Sequence, residues 1–394
     1  MSKVYMGIDI AKDRSTAHGI EESGKSLFEL TFDMSGAGFS ELLKRIEASG
    51  GSPGSVVVAM ESTACYHINL YSFLSAKGID AVVINPLLIA NFAKLSLRKT
   101  KTDKKDAKTI AQFIHAHKDS VTQLAISQDL QDMRDMARER ESLCHQISAA
   151  KVEIQRVLQT TFPELAGMTN PLTKVMLHFI QRFPSARLVS IAKPRVIEKT
   201  LKEKPCSCRL RFTPKELIEA ARTSIATVSP AKELILSGKI ETLLHLQKRC
   251  DALTKALTKY CESMIVEDLR IVTSVNGINN KMATALLAEI GQIASYHSYK
   301  NLIAFAGIDP TVYQSGKYEG TSRISKRGNR HLRRVIWLMA ISVIHHNPVF
   351  RNYFLKRRNE GQPFKKAVFA TAHKLVRVIF AMLSNRTFFK EQCA

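Results

Sequence analysis

Over the first third of the chain, short apolar runs alternate with segments in which apolar residues recur at the spacing of a helix. Runs of strand length, bounded by turn residues, predict β-strands at residues 4–11, 14–20, 26–33, 55–60 and 80–85. Apolar residues at every third or fourth position predict helices at residues 39–48 and 67–77, and from Pro86 to about residue 117. Strands and helices in this order are typical of an α/β fold, so we expect a mixed sheet covered by helices.

The middle of the chain has the pattern of two helical arms. From residue 127 to 160, apolar residues recur at spacings of three, four and seven, which predicts a long amphipathic helix or coiled-coil arm. Repeated prolines across residues 162–230 exclude one long helix and predict a small insert of short helices. A second arm follows at residues 231–265. The arms could pair in antiparallel orientation within the chain, or they could mediate dimerisation.

Helical spacing, basic residues and scattered glycines mark the last third of the chain. Residues 275–291 resemble a helix-hairpin-helix, in which the turn at Gly277 would present backbone N–H groups to a phosphate. An ordinary helix pair joined by a glycine turn is the alternative. We therefore expect an α/β domain at residues 1–125, helical arms with a small insert at 126–265, and a mostly α-helical C-terminal domain at 266–394.

The amino-acid composition indicates what kind of partner the protein binds. Lys and Arg number 58 against 35 Asp and Glu, which gives a formal net charge of +23. An excess this large favours a polyanion, DNA or RNA, as the partner. We expect no membrane partner, because no stretch approaches about 20 apolar residues, and no signal peptide. Seven scattered cysteines predict reduced cytosolic thiols, with metal binding by Cys206 and Cys208 as the less favoured alternative. With a nucleic-acid partner, we expect a cytoplasmic, nucleoid-associated protein.

Four carboxylates occupy positions from which they can converge. Asp9 lies within the first predicted strand, where an uncompensated carboxylate is costly to bury. Glu61 directly follows the strand at 55–60, whereas Asp103 and Asp106 are three residues apart in a helical segment and share a face. Taken singly, each could cap a turn or lie on the surface. Together they predict a site for Mg²⁺ or Mn²⁺, which prefer oxygen ligands and could activate an attacking oxygen.

Basic residues surround the second acidic pair and form another cluster nearer the C terminus. A phosphodiester site needs metal ligands within a surface that binds the backbone, and arginines suit phosphates. A solvated charged face is the alternative. The residues predicted to bind nucleic acid are Arg98, Lys99, Lys101, Lys104, Lys105, Gly277, Lys317, Arg323, Lys326, Arg327, Arg330, Arg333 and Arg334.

A candidate nucleophile, Ser315, precedes Gly316 among these cations. A serine hydroxyl can attack a phosphodiester and form a covalent phosphoserine link. On chemistry alone, however, serine before glycine is more often an ordinary turn. Other candidate nucleophiles in the same region are Tyr313, Tyr318, Ser322 and Ser325.

Three segments of the N-terminal region make the prediction more specific. They are residues 7–12 (Gly-Ile-Asp-Ile-Ala-Lys), 59–63 (Ala-Met-Glu-Ser-Thr) and 101–107 (Lys-Thr-Asp-Lys-Lys-Asp-Ala). These segments resemble the DEDD transposases of the insertion sequence 110 family, which include Piv-type DNA invertases. The segment around Ser315 resembles the family's C-terminal transposase domain, with Ser-Gly-Lys where many relatives have Ser-Gly-Gly.

The resemblance implies a ribonuclease-H-like fold of the RuvC kind for the N-terminal domain. It implies that Asp9, Glu61, Asp103 and Asp106 bind metal and that Ser315 is the nucleophile. It also implies a composite centre across subunits of a dimer or tetramer, guided by a noncoding bridge RNA. We therefore expect a DNA transposase or site-specific recombinase. A metal-dependent junction nuclease that uses water, and a non-catalytic nucleic-acid-binding protein, are the two alternatives.

Overall fold

The computed structural model describes residues 3–61, 65–84, 86–93, 102–117, 128–203, 210, 212–311, 314–315, 318–319 and 323–391. The chain divides into two compact units, residues 1–125 and 126–394. Several residues singled out above lie outside the described residues: Arg98, Lys99, Lys101, Cys206, Cys208, Tyr313, Lys317 and Ser322. Of Ser315 and Tyr318 the structure describes the backbone.

The first unit is a five-stranded mixed sheet with helices on both faces. Its elements are β1 (Val4–Asp9), β2 (Arg14–Glu21), β3 (Ser26–Asp33), α1 (Gly36–Ala48), β4 (Val56–Glu61), α2 (His67–Ala76), β5 (Asp80–Ile84), α3 (Pro86–Ala93) and α4 (Asp103–His117). The strand order is β3-β2-β1-β4-β5. Strand β2 pairs antiparallel with both β1 and β3, whereas β4 pairs parallel with β1 and β5 pairs parallel with β4. The predicted α/β class is confirmed.

Alternation along β1 assigns its side chains to two different cores. Met6 and Ile8 pack with apolar residues of α1 and α2. Tyr5, one position out of phase, packs instead with Ile110 and Ala111 of α4. Because successive side chains of a strand point to opposite faces, each residue of β1 can be assigned to the α1–α2 side or to the α4 side.

The second unit begins with two long helices that enclose the predicted insert. Along the chain these are α5 (Gln128–Thr161), α6 (Leu165–Met168), α7 (Lys174–Arg182), α8 (Ala186–Ser190), α9 (Pro194–Lys202), α10 (Pro214–Arg222) and α11 (Pro230–Met264). The long helices α5 and α11 pack in antiparallel orientation. Near one end Lys239 Nζ lies 3.2 Å from Glu153 Oε2. Near the other, Tyr260 donates a 2.9 Å hydrogen bond to Asp129.

The C-terminal part of the second unit is mostly helical, as expected. It contains α12 (Val266–Thr273), α13 (Asn280–Ile290), a 3₁₀ turn (Ile293–Ser295), α14 (Tyr299–Ala306), the two-residue strands β6 (Pro310–Thr311), β7 (Gln314–Ser315), β8 (Tyr318–Glu319) and β9 (Arg323–Ile324), then α15 (Arg330–His346), α16 (Pro348–Asn359) and α17 (Phe364–Asn385). Apolar side chains from α12 to α17 share one core.

Helix α17 corrects one expectation from the sequence. It contains an 18-residue window of mean hydropathy 1.5, long and apolar enough by composition to cross a membrane. The expectation that no stretch approaches that length was therefore wrong. Half of the window is buried in the protein, however, and residues such as Leu375 and Ile379 lie in the shared core. A helix that buries its apolar face against neighbouring helices has the character of a core helix.

Candidate active site

Helix α4 lies directly on strand β1 at Gly7. A β-carbon added to Gly7 would lie 2.2 Å from the Ala107 carbonyl oxygen and from the Ala111 amide nitrogen. Two residues earlier in the strand, the ring of Tyr5 meets that of His115 edge to face, with centroids 5.0 Å apart. The helix therefore runs antiparallel to β1, and its first turn lies towards the end of that strand.

This packing determines which part of α4 lies nearest Asp9. The Asp9 side chain is on the α4 face, because Asp9 lies two residues beyond Gly7. Two strand residues span about 6.6 Å, the rise of roughly four to five helical residues. The residues of α4 that lie this distance before Ala107 are those of its first turn, which contains Asp103 and Asp106. Asp9 and Asp106 are half-buried, and Asp103 is exposed.

Glu61 occupies the equivalent position on the neighbouring parallel strand. The register pairs Ile8 with Met60, so Asp9 and Glu61 are the next residues along the two strands. Ala59 belongs to the apolar cluster on the α4 side, and Glu61 follows it by two residues. Strand β1 ends at Asp9 rather than continuing to residue 11 as expected. Both carboxylates therefore lie at the carboxyl ends of adjacent strands, on the face that α4 covers.

The start of α4 also gives its acidic pair a structural role. The Thr102 hydroxyl accepts a 3.3 Å hydrogen bond from the Lys105 backbone, and the Thr102 carbonyl accepts one of 2.9 Å from the Asp106 backbone. Carboxylates in a first helical turn interact favourably with the helix dipole. Lys104, which we predicted to bind nucleic acid, forms a 2.5 Å ion pair with Glu29 of β3.

Asp9 and Glu61 lie at the same end of the sheet and Asp103 and Asp106 lie in the first turn of α4, but the four carboxylates form no ligand cluster. Among the residues that the structure describes, no three His, Cys, Asp or Glu side chains lie close enough together to hold a metal ion. The available donors at this edge are carboxylate oxygens, which suit a hard divalent cation better than zinc. In residue type, therefore, the set suits a hard divalent cation.

Ser315 lies on a short two-stranded ladder in the second unit. It ends β7 and is paired with Tyr318 of β8. At the base of this segment, Thr311 of β6 pairs with Arg323 of β9. The Ser325 hydroxyl donates a 2.5 Å hydrogen bond to Asp309 Oδ1, so Ser325 has a structural partner at the base. The predicted turn at Ser315 is therefore part of a strand pair.

The described cations of the C-terminal cluster differ in their partners. Arg333 Nη1 donates a 3.1 Å hydrogen bond to the Ala306 carbonyl oxygen. Arg334 Nε lies 3.4 Å from Glu141 Oε1 of α5, and the Arg334 guanidinium also contacts His145 of the same helix. The remaining four are exposed on the surface: Arg323, Lys326, Arg327 and Arg330.

A buried carboxylate beneath this cluster was missed by the sequence analysis. Glu289 of α13 is 2% exposed and accepts hydrogen bonds of 2.8 and 2.9 Å from Arg138 Nε and Nη2. It also accepts a 2.6 Å hydrogen bond from Asn329 Nδ2. Burial acts to raise the pKa of Glu289, but hydrogen bonds from Arg138 and Asn329 outweigh it and lower the pKa. The signal in the sequence is one acidic residue within the apolar helix Met-Ala-Thr-Ala-Leu-Leu-Ala-Glu-Ile.

This network connects the long helix α5 to the start of α15. Asn329 donates to Glu289 through its amide nitrogen, while its side-chain oxygen accepts from the backbone of His331 and Leu332. Asn329 is thus the N-cap of α15 and adjoins Arg330. Through Asn329, Glu289 therefore fixes the N-terminus of α15, which comes shortly after Lys326 and Arg327 in the chain.

The turn between α12 and α13 is held against α15. Gly277 has a φ of 99°, in the left-handed region that favours glycine. Its carbonyl oxygen accepts a 2.7 Å hydrogen bond from the Ser342 hydroxyl. The Asn279 side chain caps α13 by accepting from the Met282 backbone. These features form a glycine-turn helix pair at the place that the sequence predicted.

Comparison with known proteins identifies relatives along the whole chain. Residues 6–163 match the model of DEDD transposases of the IS110 kind, and residues 269–355 match the transposase model of the IS116/IS110/IS902 family. A pilin gene-inverting protein of Moraxella bovis is 23% identical, over 99% of this chain and 99% of that protein. An insertion element IS110 protein of Streptomyces coelicolor is 21% identical over 99% and 96%. The transposase of insertion sequence element IS1111A from Coxiella burnetii is 24% identical over 97% and 90%.

Proposed function

We propose that this protein cleaves and recombines DNA through a covalent bond between Ser315 and the DNA backbone. The chain belongs to the IS110 family of transposases, which are enzymes that cleave and recombine DNA. The Ser315 Oγ attacks a phosphorus atom of the DNA backbone. A P–Oγ bond forms, the bond from phosphorus to one deoxyribose oxygen breaks, and that oxygen leaves as a hydroxyl. A hydroxyl of another strand then attacks the phosphoserine and releases Ser315. The number of phosphodiester bonds is conserved, so no external energy source is required.

The observation that supports this proposal is that Ser315 ends a paired strand, a few residues before exposed cations in the chain. On either side of this segment in the chain, β6 pairs with β9, and the Ser325 hydroxyl donates a hydrogen bond to Asp309. Arg323 lies in β9, and Arg327 and Arg330 follow it. Cations beside a nucleophile hold the phosphate and stabilise the charge that develops on it during attack.

We further propose that Asp9, Glu61, Asp103 and Asp106 hold Mg²⁺ or Mn²⁺. Such a cation would polarise the scissile phosphate and stabilise the leaving oxygen. What supports this proposal is that Asp9 and Glu61 end adjacent strands on the face that α4 covers, and that the first turn of α4 carries Asp103 and Asp106. The strand order β3-β2-β1-β4-β5, three antiparallel strands followed by two parallel ones, supports a ribonuclease-H-like, RuvC-like fold for this unit.

Guidance by a noncoding RNA and assembly into a dimer or tetramer are part of the same proposal. The net charge of +23 supports binding of a polyanion, which RNA as well as DNA provides. Two long helices that pack along each other support a coiled-coil arm, which could also contact a second subunit. We propose that the protein acts on DNA in the cytoplasm, at the nucleoid.

A nicked suicide substrate tests the covalent step. The DNA carries an element end with a nick placed so that the cleaved strand diffuses away and the protein remains attached. We expect a protein–DNA adduct that survives denaturation and that maps by peptide mass spectrometry to Ser315. The Ser315→Ala variant should lose the adduct. Ser325→Ala should retain it, because that hydroxyl is used at the base of the ladder.

Two results would contradict the proposal. An adduct that persists in Ser315→Ala would assign the attack to another residue. Free DNA ends without any adduct would favour the junction nuclease, in which water attacks. For the carboxylates, Asp9→Asn and Glu61→Gln should abolish the adduct while leaving DNA affinity unchanged, and chelation of divalent cations should have the same effect. Adduct formation that is insensitive to both would exclude the metal site.

A further inference from the structure

Helices α16 and α17 carry a second concentration of positive charge. Between residues 351 and 377 the cations are Arg351, Lys356, Arg357, Arg358, Lys365, Lys366, Lys374 and Arg377, and Glu360 is the one carboxylate in that stretch. This stretch lies beyond the segment that carries Ser315, and the transposase-model matches end at residue 355, near its start. The whole stretch belongs to the described part of the chain.

Three of these cations have partners within the protein. Arg351 Nε donates a 3.2 Å hydrogen bond to the Ile344 carbonyl oxygen at the end of α15. Arg357 Nη1 lies 2.8 Å from Glu360 Oε2. Arg358 Nη1 donates to the Gln362 carbonyl oxygen at 2.6 Å. These three cations are therefore accounted for by contacts that stabilise the folded helices.

The other cations have no such explanation. Lys356, Lys365, Lys366 and Arg377 are exposed, and no carboxylate among the described residues forms an ion pair with any of them or with Lys374. Isolated surface lysines are ordinary on proteins. Five uncompensated cations on two adjacent helices, however, create a positive field that attracts polyanions.

Several of these cations form a row along one face of α17. Lys366, Ala370, Lys374 and Arg377 follow one another at spacings of four, four and three residues, so they share a face of the helix. The row is about 16 Å long at 1.5 Å per residue. It can follow a strand over four or five phosphates, at about 3.4 Å of axis per phosphate. The small side chain of Ala370 leaves room for a backbone to approach.

The row is held against α16 by an aromatic ring. Lys374 Nζ lies 5.2 Å from the centroid of the Tyr353 ring, and the Arg357 guanidinium lies 5.1 Å from the same centroid. Burial, followed by the charge of Arg377, lowers the pKa of Lys374. Two like charges one helical turn apart repel, and a phosphate bound between them would relieve that repulsion.

We propose that the exposed face of α16 and α17, centred on Lys366, Lys374 and Arg377, is a second nucleic-acid-binding surface that grips a phosphodiester backbone. It rests on the proposed function in that both require a nucleic-acid substrate, but it involves none of the reacting groups. A DNA duplex and a folded RNA offer the same phosphate chemistry. The role of the surface is to hold the nucleic acid while the segment with Ser315 reacts.

The test compares two sets of charge deletions in the full-length protein. The surface variant carries Lys365→Gln, Lys366→Gln and Arg377→Gln, all at exposed positions, where we expect glutamine to leave the fold intact. The matched control carries Lys25→Gln, Lys44→Gln and Lys77→Gln, exposed lysines of the first unit. Both lose three charges. Binding to a DNA duplex, to an RNA hairpin and to vesicles with anionic lipid is measured by fluorescence anisotropy or co-sedimentation over a range of salt concentrations.

We expect the surface variant to lose about ten-fold or more in affinity for DNA or RNA, with the slope of log affinity against log salt reduced by about two to three. The control should change much less. Adduct formation at saturating DNA should persist in the surface variant, whereas Ser315→Ala should bind normally and form no adduct, so the two proposals fail separately. Equal losses in the surface variant and the control would overturn the proposal. So would a loss confined to anionic vesicles.

Discussion

Gly7 of β1 and Ala107 of α4 meet backbone to backbone, with no room for a β-carbon between them. This contact determines how far α4 can slide along the strand. It therefore sets the position of Asp106, which directly precedes Ala107, relative to Asp9, which lies two residues beyond Gly7. A strand and a helix that are distant in sequence are held in register by the absence of one side chain.

Gly7→Ala should move α4 away from β1 and disable the carboxylate site. The new methyl group would lie 2.2 Å from two backbone atoms of α4, which cannot rotate away as a side chain could. We expect the free energy of unfolding to fall by about 1–3 kcal/mol, as for overpacked cores. Urea denaturation measures the stability, and the suicide substrate measures the loss of adduct.

Gly36→Ala is the matched control for that substitution. Gly36 opens α1, and an added β-carbon there meets no atom within 4 Å. Its stability and its activity should match those of the parent protein. Equal behaviour of the two alanine variants would contradict the argument that the contact at Gly7 positions α4.

The ion pair between Glu289 and Arg138 should make stability depend on pH in the acid range. Burial alone would raise the pKa of Glu289, but its hydrogen bonds to Arg138 and Asn329 lower the pKa below the ordinary value of 4.5. The stability that the charged form contributes is complete above that value. It is lost as the pH falls from 4.5 through the lowered pKa of the folded protein.

Measuring the free energy of unfolding from pH 6 to pH 3 checks this expectation. In the parent protein the free energy of unfolding should decline below about pH 4.5, and Glu289→Gln should remove part of that decline. Arg138→Ala, which leaves the carboxylate buried without its main partner, should cost about 3–5 kcal/mol at neutral pH. Parallel pH profiles for the parent and Glu289→Gln would show that another group governs acid stability.

Cys144 and Cys250 should form a disulfide when the protein is treated with a thiol oxidant such as diamide. Their sulfur atoms lie 3.9 Å apart across the α5–α11 pair. Burial, and next the charge of Cys144, raise the pKa of the Cys250 thiol above 9.0, and the thiolate is the reactive form. The reaction should therefore accelerate as the pH rises towards and beyond that value.

Non-reducing peptide mapping identifies the product of this reaction. A Cys144–Cys250 peptide is expected from the parent protein and not from Cys144→Ser. Within the monomer this product requires the antiparallel register of α5 and α11. A monomer that reacts to completion at other cysteines and never links this pair would contradict that register.

Arg333 and Arg330 should behave differently although both belong to the same basic cluster. Arg333 donates to the Ala306 carbonyl oxygen, so Arg333→Ala should lower stability by about 1–2 kcal/mol. Arg330 is exposed, so Arg330→Ala should leave stability within about 0.5 kcal/mol. It should instead weaken DNA binding and reduce the salt slope by about 0.9. The reverse pattern, seen by thermal unfolding and DNA titration, would contradict these assignments.

Local pattern was sufficient to predict most of the elements. The strands of the first unit and the two long helices follow from the spacing of apolar residues, because that spacing reflects which side of an element is buried. The pairing of elements does not follow from it. The position of β1 between β2 and β4, and the antiparallel packing of α5 on α11, depend on contacts between residues that are far apart in the chain.

The carboxylates at Asp9 and Glu61 could be singled out from the sequence because each stands at an apolar strand, where charge is unexpected. The roles of the basic residues could not be separated in this way. Lys104 pairs with Glu29, and Arg334 pairs with Glu141. The charge, most of the elements and the candidate groups can be read from the amino-acid sequence alone. Which charges are neutralised and which face solvent depends on the folded arrangement, because the energy of a charge is set by the partners that folding brings within a few ångströms of it.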